Sequence, residues 1–172
     1  ERCILCTRCV RFCQDVVGTS ELGVFSRGAR SEISLFPGQS LVNRYSGNVI
    51  DLCPVGALTS RDYRFQARPW DLVKQVPSIC GLCSAGCNIT VDVRHKEQGQ
   101  QILRIRPRVN NEVNGYWICD EGRFEFHFAE DPGRIGTPLI QRDGELLPVS
   151  WDEAIGRIAD DLARILREKG AE

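Results

Sequence analysis

The chain has 172 residues, of which 42% are hydrophobic and 26% charged, and its formal net charge is −1. That composition is ordinary for a globular protein of one domain or two small ones, and the near-neutral charge gives no ground for a nucleic-acid or lipid-surface partner. No apolar run reaches the roughly 20 residues needed to cross a bilayer, which excludes direct membrane insertion by a helix, and no secretory signal is visible.

The chain opens two residues before a cysteine motif and contains no methionine. It therefore reads as an internal segment of a longer polypeptide. Taken in order, Val10–Val17 has helical character and stops at Gly18. Residues 22–36 alternate around the turn-like Arg27, Gly28 and Ala29, which predicts a hairpin. Ser46, Gly47 and Asn48 start a short helix through Val49–Cys53, and Pro54 halts it. Ala67-Arg68-Pro69-Trp70 reads as a link, because proline holds the residue before it extended. After Cys87, Asn88–Arg94 alternates as a strand, Lys96–Gln100 turns, and Gln101–Arg106 returns as its partner. Asn110-Asn111 and Asn114-Gly115 mark a further turn before Tyr116–Cys119. Residues 138–149 predict a second hairpin around Asp143-Gly144, a strong tight-turn signal. Ser150 and Glu153 form a capping box for the best helix in the chain. Its apolar stripe, Ile155, Ile158, Ala159, Leu162, Ile165 and Leu166, requires a packing partner, and Gly170 is a suitable stop. The expected class is α+β, with regions at residues 1–68, 77–133 and 134–172.

Eight of the nine cysteines fall into two quartets. The first is Cys3-x2-Cys6-x2-Cys9 with a distant Cys53 followed by Pro54. The second is Cys80-x2-Cys83-x3-Cys87 with a distant Cys119. A cubane offers one open position on each of four irons, and soft thiolates suit them. One bending loop can present three close thiolates, and a remote segment supplies the fourth. Two [4Fe–4S] clusters are thus expected, one per quartet. Disulfides fit poorly, since the close thiols are crowded and the count is odd. Structural zinc pairs two short Cys units, whereas each quartet here is three close and one far.

Cys13 extends the first run almost to the bacterial ferredoxin pattern, in which the fourth cysteine serves a neighbouring cluster. Gln14 rather than proline follows it, and no second run lies before Cys53. Cys13 is therefore expected as a free, buried thiol near the first cluster. Arg8 and Arg11 can supply positive charge there or lie as ordinary surface residues. His95 and His127 read as structural or surface residues. No nucleophile–base set, carboxylate pair or phosphate loop stands out, so no catalytic residue is expected in this segment.

The stretches Arg2–Phe12, Ser46–Ser60, Ala67–Trp70 and Asn114–Phe124 together resemble the G-type iron–sulfur subunit family of NADH:quinone oxidoreductase, respiratory complex I. The resemblance implies that Cys3, Cys6, Cys9 and Cys53 hold a [4Fe–4S] cluster on the wire from flavin to quinone. Residues 77–133 resemble the small iron–sulfur domain that opens molybdopterin oxidoreductases. That implies an additional [4Fe–4S] cluster on Cys80, Cys83, Cys87 and Cys119, off the main wire, and points to a bacterial-type protein. The tail from Val149 resembles the start of a molybdopterin-type α/β domain that carries no molybdenum in this family. The family further implies a [2Fe–2S] and another [4Fe–4S] site upstream. It implies peripheral-arm partners, among them the flavin- and NADH-binding subunit, and a peripheral place on the cytoplasmic side of the bacterial inner membrane. The competing reading is the iron–sulfur part of a molybdenum-dependent, NAD-linked formate dehydrogenase. Those enzymes resemble two-cluster ferredoxins in the first region, whereas Cys53 stands alone here and Asp120 follows Cys119.

Overall fold

The computed structural model describes residues 2–96 and 99–170. They divide into two compact units, Glu1–Ala129 and Glu130–Glu172. Both cysteine quartets fall in the first.

In the first unit, α1 (Arg8–Arg11) runs into a π-helical turn at Phe12–Val17 that ends on Gly18 in the left-handed region. The widened turn buries Phe12 and Cys13 against Val10, Leu22 and Val49. Strands β1 (Leu22–Phe25) and β2 (Glu32–Leu35) form the expected antiparallel hairpin, with Leu22 opposite Leu35. Glu21 fixes the following loop. Its carboxylate accepts hydrogen bonds from the backbone N–H of Val42 and Asn43, from the Asn43 amide and from the Thr19 hydroxyl. Burial pushes the Glu21 carboxyl up, but these donors outweigh it and hold the group below the usual range. The helix α2 (Asn48–Leu52) follows, capped by Cys53 in an extended conformation.

The second half of this unit is a three-stranded antiparallel sheet in the order β3-β4-β5, formed by Lys74–Ile79, Asn88–Lys96 and Gly99–Pro107. Strands β4 and β5 match the expected pair, although the turn between them falls partly outside the described residues. Strand β3 has no signal in the sequence, because Pro77 interrupts its pattern. It lies at the sheet edge, where a proline costs no interior ladder bond. Its last residue, Ile79, pairs with Asn88. The stretch Cys80–Cys87 is therefore the tip of a hairpin. Short α3 (Asp120–Phe124) continues into a 3-10 turn at Glu125–Glu130.

The second unit holds the hairpin β6 (Leu139–Arg142) and β7 (Glu145–Pro148), then α4 (Trp151–Lys169). Asp143 and Gly144 make the turn, both at positive φ. The Ser150 hydroxyl accepts from the Glu153 N–H, the capping bond expected. On the apolar stripe of α4, Ile155, Ile158, Leu162, Ile165 and Leu166 stay 43–59% exposed among the described residues. Among the described residues, no helix is long and apolar enough to cross a membrane.

Candidate metal centres

The first quartet rings a cavity of about 880 Å³ whose lining includes Cys3, Cys6, Cys9 and Cys53. Cys3 and Cys6 come from the loop that enters α1, and Cys9 from the first turn of α1 itself. Leu5 and Thr7, on either side of Cys6, sit at φ 54° and 59°. Two left-handed, non-glycine residues so close together mark a loop bent tightly around something. The fourth thiol arrives from the end of α2, where Pro54 stops the helix. Gly56, at φ 62°, then folds the chain back. As a result the Ala57 N–H donates to the Cys53 sulfur at 3.2 Å, and the N–H groups of Leu58, Val55 and Gly56 lie near enough to favour its thiolate. Burial raises the Cys53 thiol, but these four N–H groups outweigh it and hold the pKa below the usual value. Leu5 N–H donates to the Cys3 sulfur at 3.4 Å. Burial pushes the Cys9 thiol up, and repulsion from Cys6 and Cys3 adds to it. Backbone donors aimed at sulfur are what a thiolate ligand requires.

Arg8 lines this cavity, together with Arg2, Arg64 and Glu32. Arg11 instead forms an exposed ion pair with Asp15 at 3.3 Å. The sequence offers Arg8 and Arg11 alike. Arg2 and Arg64 have no signal beyond lying in or near the quoted motifs. Cys13 is fully buried and does not line the cavity. Burial, then the nearby Glu21 and Cys9, push its thiol up, so it stays protonated. His127 lies at the surface with Nε2 3.3 Å from Asp62, and His95 is exposed on β4.

The second quartet is gathered by the β3–β4 hairpin. At the base of its tip the Cys80 N–H donates to the Cys87 carbonyl at 2.8 Å. Cys80 is buried, Cys83 is exposed and Cys87 lies between. Burial pushes the Cys87 thiol up, followed by repulsion from Cys80 and Cys83. Gly86, at φ 59°, makes the bend just before Cys87. The remote member, Cys119, caps α3, and its sulfur accepts from the Gly122 N–H at 3.4 Å. Burial, then Glu121 and Cys80, raise the Cys119 thiol. Gly122 lets this turn pack closely: a Cβ would lie 3.0 Å from the Ile118 side chain and 3.3 Å from the Cys80 sulfur. Among the described residues, no three His, Cys, Asp or Glu side chains draw together as a single-ion site would need.

Two family models match the chain in succession. Residues 1–59 match the ferredoxin-like domain of NADH-quinone oxidoreductase subunit 3, and residues 73–127 match the NDSU1/NuoG-like 4Fe-4S domain of NADH-ubiquinone oxidoreductase. The mitochondrial 78 kDa subunit of NADH-ubiquinone oxidoreductase from Neurospora crassa is 49% identical over 158 residues, covering 92% of this chain and 20% of that protein. The NADH-quinone oxidoreductase G subunit of Rickettsia bellii is 42% identical over 168 residues, 98% of this chain and 24% of that protein. Its counterpart in Streptomyces coelicolor is 43% identical over 163 residues, 94% of this chain and 19% of that protein. The chain belongs to the G-subunit family of NADH-quinone oxidoreductase.

It spans about a fifth to a quarter of the length of these relatives. The two family models divide between the two quartets. The match to residues 1–59 includes Cys3, Cys6, Cys9 and Cys53, and the match to residues 73–127 includes Cys80, Cys83, Cys87 and Cys119.

Proposed function

We propose that this chain is an electron-relay segment of an NADH:quinone oxidoreductase. In this reading Cys3, Cys6, Cys9 and Cys53 hold one [4Fe–4S] cluster and Cys80, Cys83, Cys87 and Cys119 hold a second. The observation that carries it is the first cavity, where three thiols from a tightly bent loop and the first turn of α1 meet a fourth from the far end of α2. Thiols spread around such a space suit a body with four iron corners better than one tetrahedral ion. A [4Fe–4S] cluster supplies reversible one-electron transfer and no bond chemistry on a substrate.

The protein's part is to hold, shield and tune. The loop around Leu5 and Thr7 and the first turn of α1 fix three thiolates, and α2 delivers the fourth. The N–H groups of residues 55–58 stabilise negative charge on Cys53, which favours the reduced cluster and raises its potential. Arg2, Arg8 and Arg64 act in the same direction. The residue assignment extends to the second site, whose thiols hold a cluster beside the main path. Electrons arrive from NADH through the flavin-bearing partner and leave towards quinone through other peripheral-arm subunits. The segment sits at the membrane periphery on the cytoplasmic side.

In the purified complex, NADH should reduce the first cluster within turnover, as seen by freeze-quench EPR. Blocking the quinone site should hold it reduced. A first-cluster signal indifferent to NADH, or stoichiometric molybdenum with reduction by formate, would overturn the reading in favour of the formate dehydrogenase.

A further inference from the structure

Asn48 is fully buried and uses every hydrogen-bonding position of its side-chain amide. Its Nδ2 donates to the carbonyls of Tyr45 and Ile118, both at 2.8 Å. Its Oδ1 accepts from the Ile118 N–H and from Arg123 Nη2, each at 3.2 Å. The amide thus pairs with both backbone groups of Ile118, as a neighbouring strand would. Residue 120 is tied to the same segment. The Asp120 N–H donates to the Arg44 carbonyl at 2.7 Å, and its carboxylate accepts from Gly47 N–H at 2.7 Å and Ser46 Oγ at 2.5 Å. Arg123 closes the set by donating to Asp51 on α2 at 2.6 Å. Gly47 allows this closeness, since a Cβ there would lie 2.5 Å from the Arg123 Cδ.

Cys119 lies between the two anchored residues, Ile118 and Asp120. Asn48 begins the short helix that ends at Cys53. An enclosed amide is costly to bury for packing alone, because an apolar residue of the same size needs no partners. Its four bonds here impose a register on the chain next to Cys119. The remote ligands of the two quartets are therefore mounted on one rigid piece.

We propose that Asn48 is a positioning residue that couples the two cluster sites, so that occupancy of the Cys53 site holds Cys119 in place for the other. The proposal rests on the ligand assignment above. Loss of a partner that orients a ligand typically weakens metal retention by 10–100-fold.

The test uses the purified complex, with EPR and the rate of iron loss to a chelator read separately for each cluster. Asn48→Leu keeps the branching, the number of side-chain heavy atoms and the charge but removes the pairing. It should speed loss of the second cluster by about 10-fold and broaden its EPR signal. Ser46→Ala removes a single bond to Asp120 and should act in the same direction by a few-fold, roughly 3-fold. Cys53→Ser should hasten loss of the second cluster in the wild-type background, and add less on top of Ser46→Ala than it does alone. Strict additivity in this pair would overturn the coupling, as would unchanged second-cluster loss and EPR in both clasp variants. Absence of two cubane signals from the wild type would instead sink the ligand assignment itself.

Discussion

Cys53→Ser should remove the proposed first cluster while leaving the fold in place. Of the first quartet, only Cys53 comes from outside the segment that leads into α1, and the Ala57 N–H donates to its sulfur at 3.2 Å. Serine keeps the shape but offers a harder oxygen that binds iron–sulfur clusters poorly. Iron should fall by about four atoms per chain, one cubane EPR signal should vanish, and electron flow from NADH to quinone should drop by at least roughly 100-fold. Cys13→Ser is the matched control. Cys13 is fully buried in the core beside Phe12 and Val49, away from the cavity lining. Both cluster signals should survive that change. Loss of a cluster in Cys13→Ser, or its retention in Cys53→Ser, would show that the ligands are wrongly assigned.

Asp92→Ala should be the most damaging change outside the cysteines. Asp92 is fully buried on β4, opposite Arg104 of β5 in the sheet register. Its carboxylate accepts from Arg104 Nε at 2.6 Å and from Arg106 Nε and Nη2 at 2.9 and 3.1 Å. The Asp92 hydrogen bond holds the Arg106 guanidinium pKa above its usual value. Removing the acid leaves two like charges side by side on the sheet that carries the Cys80–Cys87 loop. Breaking a buried pair costs about 3–5 kcal/mol. The lower end applies, because the Arg104 and Arg106 side chains are 29% and 32% exposed and can reach water. About 3 kcal/mol corresponds to a fall in Tm of roughly 10 °C for a unit of this size. Asp92→Asn keeps at most the two bonds that its single amide oxygen can accept and should lose about half as much. Thermal unfolding followed by circular dichroism checks both; equal Tm values for Asp92→Ala and wild type would show that the arginines are held without the acid.

Local signals carried most of the architecture. Gly18, the Asp143-Gly144 turn and the Ser150 cap each set an element boundary through backbone chemistry that is visible in the residue itself. Cysteine spacing grouped the thiols for the same reason, because three close ligands need only one loop. Strand β3 was hidden because its pairing with β4, not its own pattern, makes it a strand despite Pro77. The clasp around Asn48 was hidden more deeply. Asn48 and Ile118 are distant in sequence, and an asparagine before a short helix reads as a cap until its partners are known. Arg8 was legible from its place beside Cys9, but Arg2 and Arg64 were not, since an arginine's reach depends on where the chain carries it.

The most direct test of the account is the metal content of the chain, reconstituted anaerobically. Iron, acid-labile sulfide and zinc are measured on one sample, with EPR after reduction. Two cubane sites predict about eight irons and about eight sulfides per chain, no zinc, and two distinct reduced-cluster signals. Four irons with one zinc and a single signal would contradict the second site, and a chain free of iron with paired thiols would contradict both.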